Sequence, residues 1–486
     1  MTKTIIRECL ALLPEGDGFK TAEADIVIED GVIAAIEDAG KAKAGSGDRI
    51  IAGAERLVAP GLINAHSHCL STFSSGAGDR LGHVSLIWKN QADIYNRPQD
   101  ELYVSALLNG IEMIASGVTA VIDHYPEQNC RTEMVDPVAR AYADLGLRAT
   151  LGLRIWDRTY DDLDPTQIIG DDDELLEALA RDNPFRPAPV DEIAAMCEET
   201  IAKWHGHRGL ISIFPAPSNA TRCTDDLLVM SHDIAEKHDL GVHTHLQETK
   251  IQRQVSMKYN GKPIVSHMED LGILSRRWSM AHTVWVDDDE IGLLADRQAV
   301  PVHNPESNAK IHVGTSPVPK MLEAGVPVAL GADGSSTNGN QNLFDAMTMA
   351  VLVPRILGTD KAGWPAAPEA LTMATRNGAK AMLKDGEIGA LAPGTRADIV
   401  LYDLTTPVLA PLNDAAQQLV FSERGQSVRT VIIDGRVVFE DGIYAFGDAA
   451  EVGRQAIEMR EKQLGRNENL YRITRRLIAA QTEKMT

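Results

Sequence analysis

Short apolar runs alternate with amphipathic stretches through the middle of this chain. From residue 58 onward, apolar runs of strand length are separated by segments in which apolar residues recur at helical spacing. The predicted strands are Val58–Ala65, Val118–Asp123, Leu147–Leu153, Gly209–Phe214, Gly241–His245, Trp278–His282, Ala299–His303 and Val326–Ala332. Predicted helices between them include Gln99–Ser116, Asp225–His238 and Pro317–Ala324. Eight strands with intervening helices favour a (β/α)8 barrel over a doubly wound open sheet, which usually has fewer strands.

The two ends of the chain show the alternation of antiparallel strands instead. Residues 24–28 alternate polar and apolar positions, and residues 31–36 follow a Glu-Asp-Gly turn. Strand character returns at residues 398–402 and 428–433, and Asp-Gly turn signals follow. Because these segments flank the barrel, we expect them to meet in one small β-sandwich.

The predicted domains follow from these patterns. They are residues 1–57 and 385–447 for the two parts of the sandwich, 58–384 for the barrel and 448–486 for a helical tail. We expect the charged tail to pack on the surface or on a partner subunit. An acidic, irregular insertion at residues 155–192, with a short helix predicted over Glu174–Ala180, is either a passive loop or a lid.

Composition indicates which partners and which cellular compartment to expect. Acidic residues outnumber basic ones by 69 to 47, and the net charge of −22 argues against nucleic acid or an anionic membrane as a partner. No apolar run is long enough to span a bilayer, and the N-terminus lacks the apolar core of a secretory signal. Five scattered cysteines without a CxxC pair are typical of a reduced, cytoplasmic protein.

Metal-binding side chains stand at the ends of several predicted strands, where (β/α)8 barrels carry their chemistry. They are His66 and His68 after the first strand, His243 and His245 in the fifth, His282 in the sixth, His303 in the seventh and Asp333 after the eighth. Three histidines and one carboxylate suit a divalent ion that keeps a position open for water. We predict His66, His68, His245 and Asp333 as the ligands. His243 points the same way as His245 and is the alternative, but it lies further from the strand end.

The same residues predict a hydrolytic mechanism. A divalent ion lowers the pKa of water to about 7, which makes hydroxide available at neutral pH. Asp333 can then accept the proton of that water, and Glu248, three residues beyond His245, can carry a proton to the leaving group. His282 can stabilise the developing oxyanion.

These motifs resemble the amidohydrolase superfamily, in its mononuclear branch of deaminases and chlorohydrolases. The similar segments are PGLINAHSH at 60–68, HTHLQET at 243–249, AH at 281–282, HNPESNAKI at 303–311, LGADGSSTNG at 330–339 and IGALAPGTRADIVLYD at 388–403. The resemblance implies the ligand set above, with His245 chosen over His243 by its spacing to Glu248, and it implies catalytic roles for Glu248 and His282. Binuclear relatives carry a carboxylated lysine after strand four, and residues 213–217 contain no lysine. We therefore expect one divalent ion per subunit, zinc by ligand type, with Fe²⁺ also compatible.

The resemblance implies that hydroxide attacks an sp² carbon of a small N-heterocycle and releases ammonia or an amine. Hydrolysis of a C–Cl, amide, carbamate or urea bond at the same site is the alternative, and a non-catalytic barrel is disfavoured because every proposed ligand is present. Residues 69–98 and 217–221 depart from the pattern of adenosine-type deaminases, which argues against a nucleoside substrate. The predicted substrate-binding residues are Trp88, Gln91, His124, Asn219, His303, Asn304 and Ser336. We also expect a homo-oligomer, a dimer or larger.

Overall fold

The structure is a computed structural model that describes residues 3–79, 81–125, 131–158, 187–358 and 360–485. The helix predicted over Glu174–Ala180 and most of the predicted insertion lie outside these ranges. The strands are β1 (Thr4–Glu15), β2 (Gly18–Glu29), β3 (Val32–Asp38), β4 (Arg49–Ala52), β5 (Arg56–Pro60), β6 (Leu62–Ser67), β7 (Val118–Tyr125), β8 (Arg148–Ile155), β9 (Ile211–Pro217), β10 (Val242–Leu246), β11 (Trp278–His282), β12 (Val300–His303), β13 (Ala329–Leu330), β14 (Ile399–Asp403), β15 (Val428–Ile433), β16 (Arg436–Glu440) and β17 (Ile443–Tyr444).

Eight parallel strands form the centre of the molecule. Strands β6 to β9 make one four-stranded sheet and β10 to β13 make another. Single bridges, Ser67 with Asp333 and Asn219 with His245, join the two sheets at both seams. The strands therefore close into a ring, and the predicted (β/α)8 barrel is confirmed.

The first predicted strand, Val58–Ala65, is wrong in its bounds because the chain changes sheets within it. Strand β5 pairs antiparallel with β14 outside the barrel, and the barrel strand β6 starts only at Leu62. Gly61 lies between them, and a Cβ atom there would stand 2.0 Å from Thr119 Oγ1. The change from one sheet to the other therefore requires a residue without a side chain at this position. The apolar run in the sequence continues through this position, so the pattern does not reveal where the chain changes sheets.

The helices surround the barrel, and the last two form a tail at the C-terminus. They are α1 (His83–Ile94), α2 (Gln99–Ala115), α3 (Thr132–Leu145), α4 (Val190–Trp204), α5 (Asp225–Lys237), α6 (Lys250–Asn260), α7 (Ile264–Asp270), α8 (Asp288–Arg297), α9 (Pro305–Lys310), α10 (Val318–Glu323), α11 (Leu343–Ile356), α12 (Ala367–Met373), α13 (Arg376–Ala381), α14 (Ala415–Phe421), α15 (Ala449–Arg466) and α16 (Glu468–Met485). Helices α2, α5 and α10 match three predicted helices to within one residue at each end. In the part of the chain that the structure describes, no helix has the length and apolarity that a membrane crossing needs.

The two ends of the chain meet, as the sequence predicts, and together they form one nine-stranded sheet. Strand β14 pairs with β5, so that the C-terminal strands continue the sheet of the N-terminal ones. This unit has its own buried apolar cluster, which includes Ile26, Ile399 and Ile432. Arg148 of β8 donates to Asp398 at 2.8 and 3.0 Å in a buried ion pair, and it ties the sheet to the barrel.

Candidate metal centre and active-site cavity

The barrel strands bring the predicted ligands to one point at their C-terminal ends. His66 lies in β6 and His68 follows it, His245 lies in β10, and Asp333 comes shortly after β13. The Asp333 N–H donates to the carbonyl of His66 at 2.8 Å, which fixes the last ligand against the first. Asp333 has a φ of 61°, a left-handed conformation that residues other than glycine rarely adopt. Such backbone strain concentrates at functional sites, where the surrounding structure holds it in place.

Three separations among the four ligand atoms are close to those that a tetrahedral ion requires. His68 Nε2 lies 3.2 Å from His245 Nε2 and 3.4 Å from Asp333 Oδ1, and His66 Nε2 lies 3.5 Å from the same oxygen. Ligands at about 2.0–2.2 Å from a tetrahedral ion stand roughly 3.3–3.6 Å from one another. His66 Nε2 is buried and has no hydrogen-bond partner among the described residues. The residues present therefore fit a divalent ion.

Hydrogen bonds on the far side of each ring orient the three histidines. The Nδ1 atom of His68 lies 2.7 Å from the His124 carbonyl, and that of His245 lies 2.5 Å from the Ser218 carbonyl. Because a carbonyl only accepts, each Nδ1 carries the proton and each Nε2 is left as a ligand atom. His66 Nδ1 lies 2.8 Å from His243 Nε2, and it donates to that nitrogen in the tautomer that leaves His66 Nε2 free for a metal ion.

The electrostatics of the cluster favour the protonation states that metal binding needs. Burial lowers the pKa of His66 to about 4 and holds the pKa of His245 well below its usual value. Burial by itself would raise the pKa of Asp333, but His66, together with the nearby His282 and His68, keeps that pKa well below the usual range. Neutral imidazoles and an ionised carboxylate are the forms that coordinate a cation.

The carboxylate of Asp333 is also fixed in direction. Ser307 Oγ donates to its Oδ2 at 2.5 Å and Thr337 Oγ1 donates to the same oxygen at 3.0 Å. The Gly334 N–H donates to Oδ1 at 2.7 Å. The hydroxyl contacts on Oδ2 leave Oδ1 as the oxygen that faces the imidazole nitrogens.

His243 lies behind the ligands, and His124 lies beside them. The His243 Nδ1 is 2.7 Å from Ser279 Oγ, so Ser279, His243 and His66 form a chain of hydrogen bonds that ends at the cluster. His124 is fully buried, and its ring centroid is 4.6 Å from that of His245. By distance alone it forms a possible ligand group with the three histidines. Its Nε2 lies 3.3 Å from the Ala216 carbonyl, a contact that an N–H satisfies.

The two residues predicted to handle protons and charge stand next to the cluster. Glu248 follows β10, and the preceding Gln247 turns the chain with a φ of 41°. Glu248 Oε1 is 3.8 Å from His282 Nε2, and both residues line one cavity with His68, His245 and Asp333. Burial would raise the pKa of Glu248, but the positive charges of His282 and His83 lower it to about 2.

His282 lies next to two amides of the segment after strand β12 and can donate to one of them, Asn308. Its Nδ1 lies 2.8 Å from Asn308 Oδ1 and 3.4 Å from Asn304 Nδ2. His282 has a φ of 72°, so this residue, like Asp333, has a left-handed backbone at a strand end. The sequence motif HNPESNAKI contains both amides, and the four-residue spacing of a helical turn places them on one side.

The cavity over the cluster encloses about 920 Å³, including its open mouth. Of the predicted substrate-binding residues, Gln91, Asn219 and Ser336 line it. Trp88 is half-buried in α1, while His303 and Asn304 are buried near His282, below the cavity surface. The roles of these residues in substrate binding stay predictions.

The structure adds cavity residues that the sequence analysis did not name. His83, the first residue of α1, lies with Nε2 3.0 Å from Glu248 Oε2. Arg154 at the end of β8 and Arg222 after β9 also line the cavity, and each guanidinium stacks over the ring of Trp156, at 5.6 and 5.1 Å from its centroid. Arg154 could have been found by its place at a strand end, whereas no sequence pattern marks His83 or Arg222.

Comparison with known proteins shows the family of this chain. A model described as the Amidohydrolase family matches residues 57–438. A 5-methylthioadenosine/S-adenosylhomocysteine deaminase of Syntrophomonas wolfei is 32% identical over 469 residues, covering 95% of this chain and 100% of the relative. A 5'-deoxyadenosine deaminase of Methanothermobacter thermautotrophicus is 33% identical over 424 residues, covering 86% of this chain and 89% of the relative.

Two solved structures share the fold. An adenosine deaminase from Xanthomonas campestris with bound zinc superposes with a TM-score of 0.82 at 24% identity, covering 95% of this chain and 98% of its own. An atrazine chlorohydrolase from Arthrobacter aurescens complexed with zinc superposes with a TM-score of 0.84 at 23% identity, covering 94% and 100%. At 23–24% sequence identity, this structural similarity shows that the fold is shared.

Proposed function

This chain belongs to the amidohydrolase family, and from that membership we propose that it is a zinc-dependent deaminase of adenosine derivatives. It is a hydrolase of carbon–nitrogen bonds that works with a divalent metal ion. One observation carries the proposal. His68 Nε2 lies 3.2 Å from His245 Nε2, and Asp333 Oδ1 lies 3.4 Å from His68 Nε2 and 3.5 Å from His66 Nε2, beside the cavity that Glu248 lines. Zinc is proposed because a His₃Asp set suits it. A cytoplasmic location and a homo-oligomeric state stay predictions from the sequence.

The reaction adds water across the amidine carbon of the ring and releases ammonia. His66, His68, His245 and Asp333 would hold a divalent ion, which would supply hydroxide at neutral pH by lowering the pKa of water to about 7. Asp333 would take up one proton of the attacking water and return it to the ring nitrogen. Glu248, with its pKa of about 2, is ionised at neutral pH. It would therefore accept the other proton of the water and pass it to the departing nitrogen. His282 presents Nε2 to the same space and stabilises the added oxygen.

The substrate class follows from the relatives more than from local motifs. Two short segments argue against a nucleoside, but the relatives quoted above match over most of the chain and are named for adenosine derivatives that differ at the 5' position. Arg154 and Arg222 give one wall of the cavity two positive charges. We therefore propose that the cavity accepts 5'-substituted adenosines, and that a substituent with a carboxylate is preferred over a neutral one.

The experiment is ammonia release from a panel, on protein whose metal content has been measured. The panel contains S-adenosylhomocysteine, 5'-methylthioadenosine, 5'-deoxyadenosine, adenosine, guanine, a pterin and a chlorinated triazine. We expect turnover of the 5'-substituted adenosines, with the amino-acid derivative at the highest kcat/KM. Release of ammonia only from the pterin or guanine would show that the substrate has another ring. Release of chloride only from the triazine would show that the enzyme acts on another leaving group. Either result would overturn this proposal. Asp333→Asn, which should lose the ion, controls for contaminating deaminases.

A further inference from the structure

Helix α1 forms one wall of the cavity and begins with a histidine that contacts Glu248. His83 Nε2 lies 3.0 Å from Glu248 Oε2, and both side chains line the cavity. The other carboxylate oxygen, Oε1, faces His282 Nε2 at 3.8 Å. The carboxylate is therefore held between two imidazoles, one from the barrel and one from outside it.

The contact is charged and buried, so its geometry is restricted. The side chain of Glu248 is 8% exposed and that of His83 is 16% exposed. Burial lowers the pKa of His83, but the charge and hydrogen bond of Glu248 outweigh it and raise the pKa above the usual value. Hydrogen bonds between charged groups are short and directional. A fixed Oε2 leaves Oε1 as the oxygen that can reach a substrate.

The C-terminal tail holds α1 in the place that this contact needs. Asp93 near the end of α1 accepts from Arg460 at 2.8 Å and from Tyr471 at 2.5 Å, both in the tail. Asn467 donates to the carbonyls of Ala92 and Tyr95 at 2.9 Å each, and caps the open end of the helix. The tail therefore packs on the helix that carries His83.

We propose that His83 is a positioning residue for Glu248: by donating Nε2–H to Oε2, it orients the carboxylate so that Oε1 takes and delivers the proton. This inference rests on the proposed function, in which Glu248 carries the proton to the leaving nitrogen. His83 itself does not contact the reacting atoms in this arrangement. The helix that delivers it is fastened by the tail, so the proton-transfer geometry depends on a segment outside the barrel.

The first test compares His83→Ala with His83→Gln, because glutamine keeps an N–H donor near the position of Nε2. We expect His83→Ala to lower kcat by about 10- to 100-fold, the range for losing a hydrogen bond to a charged group, with KM changed by less than about 3-fold. His83→Gln should recover most of that loss, and metal content should equal wild type in both. Wild-type kcat in His83→Ala, or no recovery in His83→Gln, would overturn the proposal.

A double-mutant cycle distinguishes positioning from a general disturbance of the cavity. His83→Ala combined with Glu248→Gln should be strongly non-additive, because His83 acts through the carboxylate that the second substitution removes. The matched control combines His83→Ala with Asn219→Ala, a cavity residue from another strand end, and should be additive. Additive losses in the Glu248 cycle would overturn the proposal.

The contact can also be measured without a substrate, which separates this inference from the proposed function. In the metal-loaded enzyme, the His83 imidazole signal in NMR spectra, identified by its absence in His83→Gln, should titrate above about 6.5. In Glu248→Gln it should titrate at lower pH. His282 and Asp333 also face Glu248 and remain in both proteins. Equal titration in the two proteins would overturn the proposal, whereas an inactive wild type with the expected titration would refute only the proposed reaction.

Discussion

Replacing His243 tests whether the hydrogen bonds behind the cluster set metal affinity. His66 Nδ1 lies 2.8 Å from His243 Nε2, and the side chain of His66 is 0% exposed. A metal on Nε2 forces the proton of His66 onto Nδ1, where His243 accepts it. His243→Leu removes the acceptor and leaves a buried N–H that water cannot reach.

The size of the effect follows from that buried donor. An unsatisfied buried donor costs about 1–3 kcal/mol, which corresponds to about 5- to 150-fold in a dissociation constant. Without metal, His66 can carry its proton on Nε2 and avoid most of this cost. The substitution therefore destabilises mainly the metal-bound state and weakens metal binding. Loss of the outer partner of a metal-binding histidine typically weakens metal binding by about 10- to 100-fold, in agreement with this range.

The assay is zinc competition against a chromophoric chelator on metal-stripped protein. His243→Leu should bind zinc about 10- to 100-fold more weakly than wild type. His243→Gln offers an amide oxygen in the place of Nε2 and should retain most of the affinity. Thermal unfolding of the metal-free proteins controls for damage to the fold. A folded His243→Leu with wild-type zinc affinity, or a His243→Gln as weak as His243→Leu, would refute the reasoning.

Three further predictions concern the proton carrier, the ligands and the anchor of α1. Glu248→Gln should keep its metal and lose about 10²- to 10⁴-fold in kcat, and an unchanged kcat would remove its role as proton carrier. Asp333→Asn and His245→Ala should lose the ion by elemental analysis while far-UV circular dichroism shows the wild-type fold; full occupancy would show that the ligands are misassigned. In Asp93, burial raises the pKa, but Lys89 and Arg460 outweigh it and lower the pKa from 3.8 to about 2. The ionised carboxylate should therefore contribute about 2 kcal/mol to the free energy of unfolding above pH 4, and this contribution should be lost as the pH falls towards 2. The stabilities of wild type and Asp93→Asn in urea should differ at pH 7 and converge at low pH. An equal difference in stability at both pH values would contradict this prediction.

The amino-acid sequence by itself determined the barrel and the strand ends at which the candidate metal ligands lie. Strand periodicity is local, because an apolar run followed by a turn signal needs no distant partner to be recognised. The barrel topology then requires all strand ends to lie on one face, so histidines at matched ends had to converge. For that reason His66 lies within 4.8 Å of His245 and 3.5 Å from Asp333, although up to 267 positions separate these residues in the chain.

The tertiary structure alone decided what surrounds those residues. The break at Gly61 depends on the space left by Thr119, and the role of His243 depends on the direction of the His66 ring. His83 reaches Glu248 from a helix outside the strand pattern, 165 positions away, and the tail fastens that helix at Asp93. No local periodicity records such contacts, because they depend on how whole elements pack against one another. The sequence thus predicted which residues hold the ion, and packing decided how they are oriented and which neighbours orient them.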